Sequence, residues 1–265
     1  MKATVFLGGG RITSALAAGL RLAGDAREIV VYDRNPAKLR ALRRVTGIEA
    51  ARDLKSAIAW AEMLIVAVRP ASVAGMLDEI EACGVRAPKL CVSLAAGIPL
   101  RTLRGRIGAE ARWVRAMPSP VCRIARGLTA LSFDRGFTKS ERRRVTALFE
   151  RVGAVVEVPE SRYDAFTVTY SSSHGYHALE TLAKAAQDAG LDRANALTAA
   201  AHALGDGILY WRESGKDLAD LLHEAATPGG IAAATMSAMD AAGYARAVKS
   251  GIRAGIRQAR VNARR

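Results

Sequence analysis

The stretch VFLGGGRITSALAAGL, residues 5–20, constrains the fold of this chain more than any other. A short apolar run meets three glycines, and apolar residues such as Ile12 and Leu16 then recur at helical spacing. The pattern predicts a strand, a tight turn and a helix. Gly8 permits the turn, and Gly10 lets a pyrophosphate approach the backbone. The free N–H groups and positive end of the helix favour a bound phosphate.

The residues after the second predicted strand support a dinucleotide site. Ile29–Tyr32 is followed by Asp33, about twenty residues beyond the glycines, where such sites carry an acid for the ribose hydroxyls. Arg34 comes next, and Lys38 lies about a helical turn later. Asp33 alone favours NAD, whereas Arg34 can bind the 2′-phosphate of NADP. We predict NADPH as the cofactor and leave NADH open. The third glycine of the pattern is replaced by Thr13.

The order of patterns along the chain predicts an α/β protein with two domains. Near-continuous apolar runs alternate with helical patterns up to residue 160, as in a parallel sheet covered on both faces. Beyond it the chain is rich in alanine and poor in proline. We therefore predict a Rossmann-type, mostly parallel sheet domain over residues 1–160 and an all-helical domain over residues 161–265. A thin bundle of small residues hides its apolar faces better with a partner, so we expect a homodimer or a larger homo-oligomer.

Composition excludes several other classes of protein. The N-terminal apolar run is too short for a signal peptide, and no apolar stretch reaches the length of a membrane span. We expect a cytoplasmic protein that does not bind membranes. Cys83, Cys91 and Cys122 lack the spacing of metal ligands, so we expect free thiols and no metal site.

The net charge of +14 admits two kinds of partner. A basic surface can bind nucleic acid, but here the charges are spread along the chain and are not interleaved with aromatic residues. We interpret most of them as solvated helix faces. A positive field also attracts anionic substrates and cofactors. Nucleic acid is therefore kept only as a minor alternative.

Four later segments appear in the same order as in a known family. They are AVRP at Ala67–Pro70, SLAAGIPL at Ser93–Leu100, VRAMPSP at Val114–Pro120 and ATPGG at Ala226–Gly230. With the glycine turn and the helical second domain, they make the chain similar to the pyrroline-5-carboxylate reductase family. The resemblance implies an oxidoreductase that uses NAD(P)H to reduce the cyclic imine 1-pyrroline-5-carboxylate to L-proline in proline biosynthesis. It also implies that the helical domain dimerises.

The resemblance, with the glycine-turn argument, assigns candidate site residues. The candidate cofactor-binding residues are Gly8, Gly10, Arg11, Ile12, Asp33, Arg34, Ala67, Val68, Arg69, Pro70, Ala95, Met117 and Pro118. The candidate substrate-binding residues are Ser173, Thr227, Gly229, Gly230 and Ile231. His174 and Thr227 are the candidate catalytic residues.

The reaction itself needs little acid–base machinery, because a protonated C=N bond accepts hydride readily. The enzyme must place the imine carbon over the nicotinamide, exclude water and hold the carboxylate. Gly229 and Gly230, just before a predicted helix, offer backbone N–H groups at its positive end, and Thr227 offers a hydroxyl. The same residues also fit an ordinary helix cap, so both interpretations stay open.

The chain departs from the family pattern at the predicted substrate end. Ser119-Pro120-Val121 stands where the family usually has Asn-Thr-Pro, and Ile231 and Ala232 replace hydroxyl residues after Pro-Gly-Gly. Residues 171–177, SSSHGYH, replace a Ser-Gly-Ser-Gly-Pro-Ala-Tyr pattern. His174 is thus a candidate proton donor or carboxylate ligand, or an ordinary histidine at a helix start.

Three alternative functions follow from these departures. One is a member of the family that acts on a different cyclic imine. Another is a different Rossmann dehydrogenase with a helical second domain, such as a 3-hydroxy acid dehydrogenase. Those enzymes depend on a catalytic lysine in the helical domain; Lys184 is the only lysine near the His174 segment, and nothing around it marks it as catalytic. The last is a non-enzymatic protein that binds a dinucleotide or nucleic acid.

Overall fold

The computed structural model describes residues 3–264 of the chain, so residues 1, 2 and 265 of the predicted domains lie outside it. The described residues form an eight-stranded sheet in the order β3-β2-β1-β4-β5-β6-β7-β8. The strands are β1 Ala3–Leu7, β2 Ile29–Tyr32, β3 Glu49–Ala50, β4 Ala61–Val66, β5 Leu90–Ser93, β6 Arg112–Pro118, β7 Gly127–Phe133 and β8 Gly153–Glu157. Neighbouring strands are parallel except β6 and β7, which are antiparallel.

Helices connect most of the strands and form most of the chain after β8. They are α1 Arg11–Leu22, α2 Pro36–Thr46, α3 Leu54–Trp60, α4 Val73–Ala82, α5 Leu100–Leu103, α6 Lys139–Glu150, α7 Glu160–Thr169, α8 Ser172–Asp188, α9 Arg193–Ser214, α10 Leu218–Ala225, α11 Ile231–Ala241 and α12 Tyr244–Asn262. Two 3-10 turns, Pro70–Ser72 and Pro120–Ile124, follow β4 and β6. Asn35 caps α2 and Pro36 opens it, where the missing N–H costs nothing.

Two hydrophobic cores cover the two faces of the sheet. Successive residues of a strand point to opposite faces, so Phe6 joins the core beneath α1, α2 and α6. Its neighbours Val5 and Leu7 join the core beneath α3, α4 and α5. All three side chains are fully buried. This burial on both faces explains the unbroken apolar runs in the sequence, and the predicted α/β fold is confirmed.

The described chain forms two compact units that divide near residue 168, and the predicted domain boundary at residue 160 stays a prediction. One unit comprises the described parts of Met1–Val168 and Gly255–Arg265, and the other is Thr169–Ala254. The end of α12 packs against the sheet unit: a Cβ on Gly97 would lie 2.5 Å from the carbonyl oxygen of Ala259. The start of α7 is tied to β6, because Arg115 pairs with Asp164 at 2.6 Å. These packing contacts are not visible in the composition change on which the predicted boundary rests.

The helical unit has little core of its own. α8 and α9 pack through Ala183, Ala196 and Ala200, which are buried. Large apolar side chains such as Ile208 and Trp211 are about half exposed in the single chain. Among the described residues, none of the helices combines the length and the apolar character needed to cross a membrane.

Candidate functional site

Close packing against Ala67 and hydrogen bonds with Thr13 and Asp33 fix the glycine turn after β1. Gly8 has a φ of +114°, and a Cβ there would lie 2.7 Å from the carbonyl oxygen of Ala67, so only glycine fits. The hydroxyl of Thr13 donates to the carbonyl of Gly8 at 2.6 Å. The backbone N–H of Gly9 donates to Oδ2 of Asp33 at 2.8 Å. Thr13, which replaces the third glycine of the pattern, therefore ties the first turn of α1 back to the glycine turn.

The start of α1 is open to a ligand. Gly10 occupies the N-cap position, and no side chain caps the helix. A Cβ added to Gly10 would meet no atom within 4 Å, so the space beside it is free. The first N–H groups of a helix have no partner within the helix, and their positive dipole end attracts anions. This arrangement suits a phosphate or pyrophosphate.

A cavity of about 970 Å³ lies beside this turn, at the carboxyl ends of β1, β2 and β4. The strand order reverses between β1 and β4, and ligands of open α/β sheets bind at such a point. The cavity brings together eight of the predicted cofactor residues: Gly8, Gly10, Arg11, Asp33, Arg34, Ala67, Val68 and Arg69. Its lining also includes residues that the sequence analysis did not assign to the cofactor, among them Ser14, Tyr32, Lys38, Leu42, Met76 and Arg123.

The charges around the cavity are mostly positive. Both carboxylate oxygens of Asp33 already accept backbone N–H groups, from Gly9 and from Asn35, each at 2.8 Å. Nζ of Lys38 lies 3.9 Å from the same carboxylate, and Arg34 forms an ion pair with Glu79. The cavity is lined by five cationic side chains, those of Arg11, Arg34, Lys38, Arg69 and Arg123. The lining therefore favours a ligand with several negative charges.

Five predicted cofactor residues lie outside the lining of this cavity, namely Ile12, Pro70, Ala95, Met117 and Pro118. Ile12 packs against the core beneath α1, and Ala95 is buried in the opposite core. Met117 and Pro118 end β6. Their assignment to the cofactor stays a prediction.

The predicted catalytic residue His174 and the predicted substrate-binding residue Ser173 lie at the start of α8 in the helical unit. Both are exposed. The backbone N–H of His174 donates to the carbonyl of Ser171 at 3.0 Å, and the hydroxyls of Ser171 and Ser173 are 2.7 Å apart. The segment therefore forms a hydroxyl-rich first helical turn, and the catalytic role of His174 stays a prediction.

Thr227, Gly229 and Gly230 precede α11 in the same unit. The backbone N–H of Gly230 donates to the carbonyl of Thr227 at 2.9 Å, and Gly230 is an N-cap with no side-chain cap. Ile231, the first residue of the helix, is 89% exposed. The nearest downstream hydroxyl, on Thr235, donates to the carbonyl of Ile231 at 2.9 Å. Backbone N–H groups are thus the donors that this helix start offers.

Two of the three cysteines, Cys91 and Cys122, do not provide a nucleophile. Burial raises the pKa of the Cys122 thiol to about 12 and also raises the pKa of the Cys91 thiol, so both stay protonated near neutral pH. Within residues 3–264, no cluster of three or more His, Cys, Asp or Glu side chains could hold a metal ion.

The fold and the cavity define an NAD(P)-dependent oxidoreductase with a Rossmann-type sheet domain followed by a helical domain. Residues 4–97 match a family model described as NADP oxidoreductase, coenzyme F420-dependent. Residues 160–261 match the model for pyrroline-5-carboxylate reductase dimerisation.

Individual relatives give the same family. The chain is 30% identical to a pyrroline-5-carboxylate reductase of Mycobacterium tuberculosis, over 96% of this chain and 94% of that protein. It is 28% identical to the Escherichia coli enzyme of the same name, over 92% and 91% of the two chains. A Plasmodium falciparum pyrroline carboxylate reductase, solved with NADP bound, has a similar fold, with a TM-score of 0.87 at 19% identity over 99% and 98% of the two chains. The chain belongs to the pyrroline-5-carboxylate reductase family, which confirms the resemblance seen in the sequence.

Proposed function

We propose that this protein uses NADPH to reduce 1-pyrroline-5-carboxylate to L-proline. The observation that carries the choice of cofactor is the pair of cationic side chains, Arg34 and Lys38, that line the cavity beside Asp33. Each carboxylate oxygen has two lone pairs, so Asp33 can still accept a ribose hydroxyl and does not by itself distinguish NADH from NADPH. Arg34 and Lys38 line the same cavity and match a 2′-phosphate. The reduced nicotinamide, when bound, supplies the hydride.

The remaining tasks belong to side chains and backbone groups of this chain. The N–H groups at the start of α1 bind the pyrophosphate, and Gly10 leaves the space for it. We assign the substrate carboxylate to the N–H groups at the start of α11 and to the hydroxyl of Thr227. His174 is assigned as the proton donor to the imine nitrogen, because an imidazole can both donate and accept a proton.

We further propose that the protein is a homo-oligomer, at least a dimer. The helical unit exposes large apolar side chains on α8, α9 and α10, including Tyr176, Ile208, Trp211 and Leu222. Ile208 and Trp211 are three residues apart and share one face of α9, and exposed apolar surface that forms a patch marks an association site. The match of residues 160–261 to a dimerisation model supports the same assignment.

A second candidate is a reductase of this family that acts on a different cyclic imine. Ile231 favours it, because an 89% exposed apolar side chain stands at the start of α11, where the family usually has a hydroxyl. A missing hydrogen-bond donor to a charged carboxylate weakens recognition by about 1.5–3 kcal/mol. A less acidic or bulkier imine does not incur this loss.

The test is oxidation of NADPH and of NADH with 1-pyrroline-5-carboxylate and with five- and six-membered cyclic imines that lack the carboxylate. Turnover of 1-pyrroline-5-carboxylate that is faster with NADPH supports the proposal. Turnover of another imine alone supports the second candidate. If no imine is reduced but DNA is bound with a steep salt dependence, a nucleic-acid-binding role replaces both.

A further inference from the structure

We propose that Arg123 is a second anchor of the dinucleotide, binding the pyrophosphate that NADPH and NADH share. The inference rests on the proposed function and adds a residue that the glycine pattern does not indicate. Arg123 lies in the turn Pro120–Ile124, far from residues 5–20 in the sequence. It nevertheless lines the same cavity as the glycine turn.

The topology brings Arg123 to the pyrophosphate from one side. β6 is parallel to β5, so the turn that follows β6 lies at the same edge of the sheet as the glycine turn. In the sheet, β2 lies on one side of β1, and β4, β5 and β6 lie on the other. Arg34 and Lys38, which follow β2, therefore flank the glycine turn on one side, and Arg123 flanks it on the other.

A hydrogen bond fixes the guanidinium beside the start of α1. Nη2 of Arg123 donates to the hydroxyl of Ser14 at 3.1 Å. Ser14 is itself in the first turn of α1, and its N–H donates to the carbonyl of Gly10 at 3.0 Å. The cation is thus held within one helical turn of the N–H groups that bind phosphate.

The backbone beneath Arg123 is held by close packing. A Cβ on Gly19, in the middle of α1, would lie 1.9 Å from the carbonyl oxygen of Cys122. A Cβ on Gly127, at the start of β7, would lie 2.8 Å from the N atom of Cys122. Cys122 is fully buried between these two glycines. Because Arg123 is the next residue, its position relative to α1 is set before any ligand binds.

The charge of Arg123 is also more available to a phosphate than the charges of Arg34 and Lys38 are. Arg34 is paired with Glu79, and Lys38 lies near Asp33. Within the part of the chain that the structure describes, Arg123 has no carboxylate within ion-pair distance. A guanidinium has five N–H donors, so the bond to Ser14 leaves others for an oxyanion.

The experiment is calorimetric titration of NADPH and of NADH into the full chain without imine. Arg123→Met should weaken the binding of both nucleotides by about tenfold, the loss of one charge-assisted contact. Arg126→Met is the matched control, since Arg126 is an exposed arginine close by that does not line the cavity, and it should bind both as the wild type does. Arg34→Met should weaken NADPH only.

The outcomes separate this inference from the proposed function. If Arg123→Met binds both nucleotides within about twofold of the wild type, the inference is wrong and the function stands. If it weakens NADPH alone, Arg123 contacts the 2′-phosphate and the inference is again wrong. If the wild type binds neither nucleotide, the proposed function is wrong and the inference fails with it. Arg123→Lys, which keeps the charge, should recover part of the affinity, and unchanged melting temperatures exclude misfolding.

Discussion

Gly19, the single glycine within Arg11–Leu22 of α1, should be highly sensitive to substitution. Its substitution by alanine places a Cβ 1.9 Å from the carbonyl oxygen of Cys122, and the two backbones must separate by more than an ångström. Overpacking of a close contact costs about 1–3 kcal/mol, and here backbone atoms rather than a flexible side chain must move. Alanine recovers about 1 kcal/mol of helix propensity. Because backbone atoms must move, the cost falls in the upper part of that range, about 2–3 kcal/mol, and leaves a net loss of about 1–2 kcal/mol in the free energy of unfolding.

The assay is thermal unfolding followed by circular dichroism at one protein concentration, because association shifts apparent stability. For a chain of this size, the loss lowers the melting temperature by about 2–8 °C. Gly75→Ala is the matched control. Gly75 lies in α4 and is exposed, and an added Cβ would meet no atom within 4 Å, so this substitution should stabilise the protein slightly. Gly19→Ala should also weaken the binding of NADPH, because Cys122 carries Arg123 with it. If the two alanine variants were equally stable, the packing argument would be wrong.

Three further predictions concern other parts of the molecule. Arg115→Met leaves the carboxylate of Asp164 unpaired and should lower the free energy of unfolding by about 2–3 kcal/mol in urea titrations. The loss is smaller than for a fully buried ion pair because Asp164 is partly exposed. An unchanged urea midpoint would contradict this prediction. The hydrogen bond from Arg104 holds the pKa of Asp134 below its ordinary value of 3.8. The stability from this pair is present above pH 3.8 and is lost as the pH falls through the lowered pKa, so the melting temperatures of the wild type and Asp134→Asn should converge in acid and not near neutral pH. Ile208→Glu should lower the mass measured by light scattering, and an unchanged mass would place the association surface elsewhere.

Much of the fold follows from short-range sequence patterns. The strand, glycine turn and helix of residues 5–20 depend on local backbone preferences and on hydrophobic periodicity, which neighbouring residues set. The alternation of apolar runs and helices predicts the parallel sheet, because strands buried on both faces carry no polar alternation. The order of the family segments identifies the family. Gly8 and Asp33 were predicted to belong to one site, and both line the cavity.

Part of the candidate site could not be predicted from the sequence. Oδ2 of Asp33 accepts the backbone N–H of Gly9, 24 residues away in the sequence, and only the relative position of β1 and β2 decides this contact. Met76 and Arg123 line the cavity from α4 and from the turn after β6, both far from the glycine turn in the sequence. No local pattern carries such information, because it depends on how elements dock.

The sequence by itself determined the class of fold and the glycine turn, since these depend on patterns within about twenty neighbouring residues. It also determined the family, through the order of short segments spread from Ala67 to Gly230. Only the tertiary structure decided which distant residues share the site. Arg123 meets Ser14 across 109 positions, because Gly19 lets the turn after β6 lie directly on α1. The end of α12 returns to the sheet unit at Gly97 and Ala259 in the same way. Such contacts arise from strand order and the close approach of backbones, neither of which is encoded within a single segment.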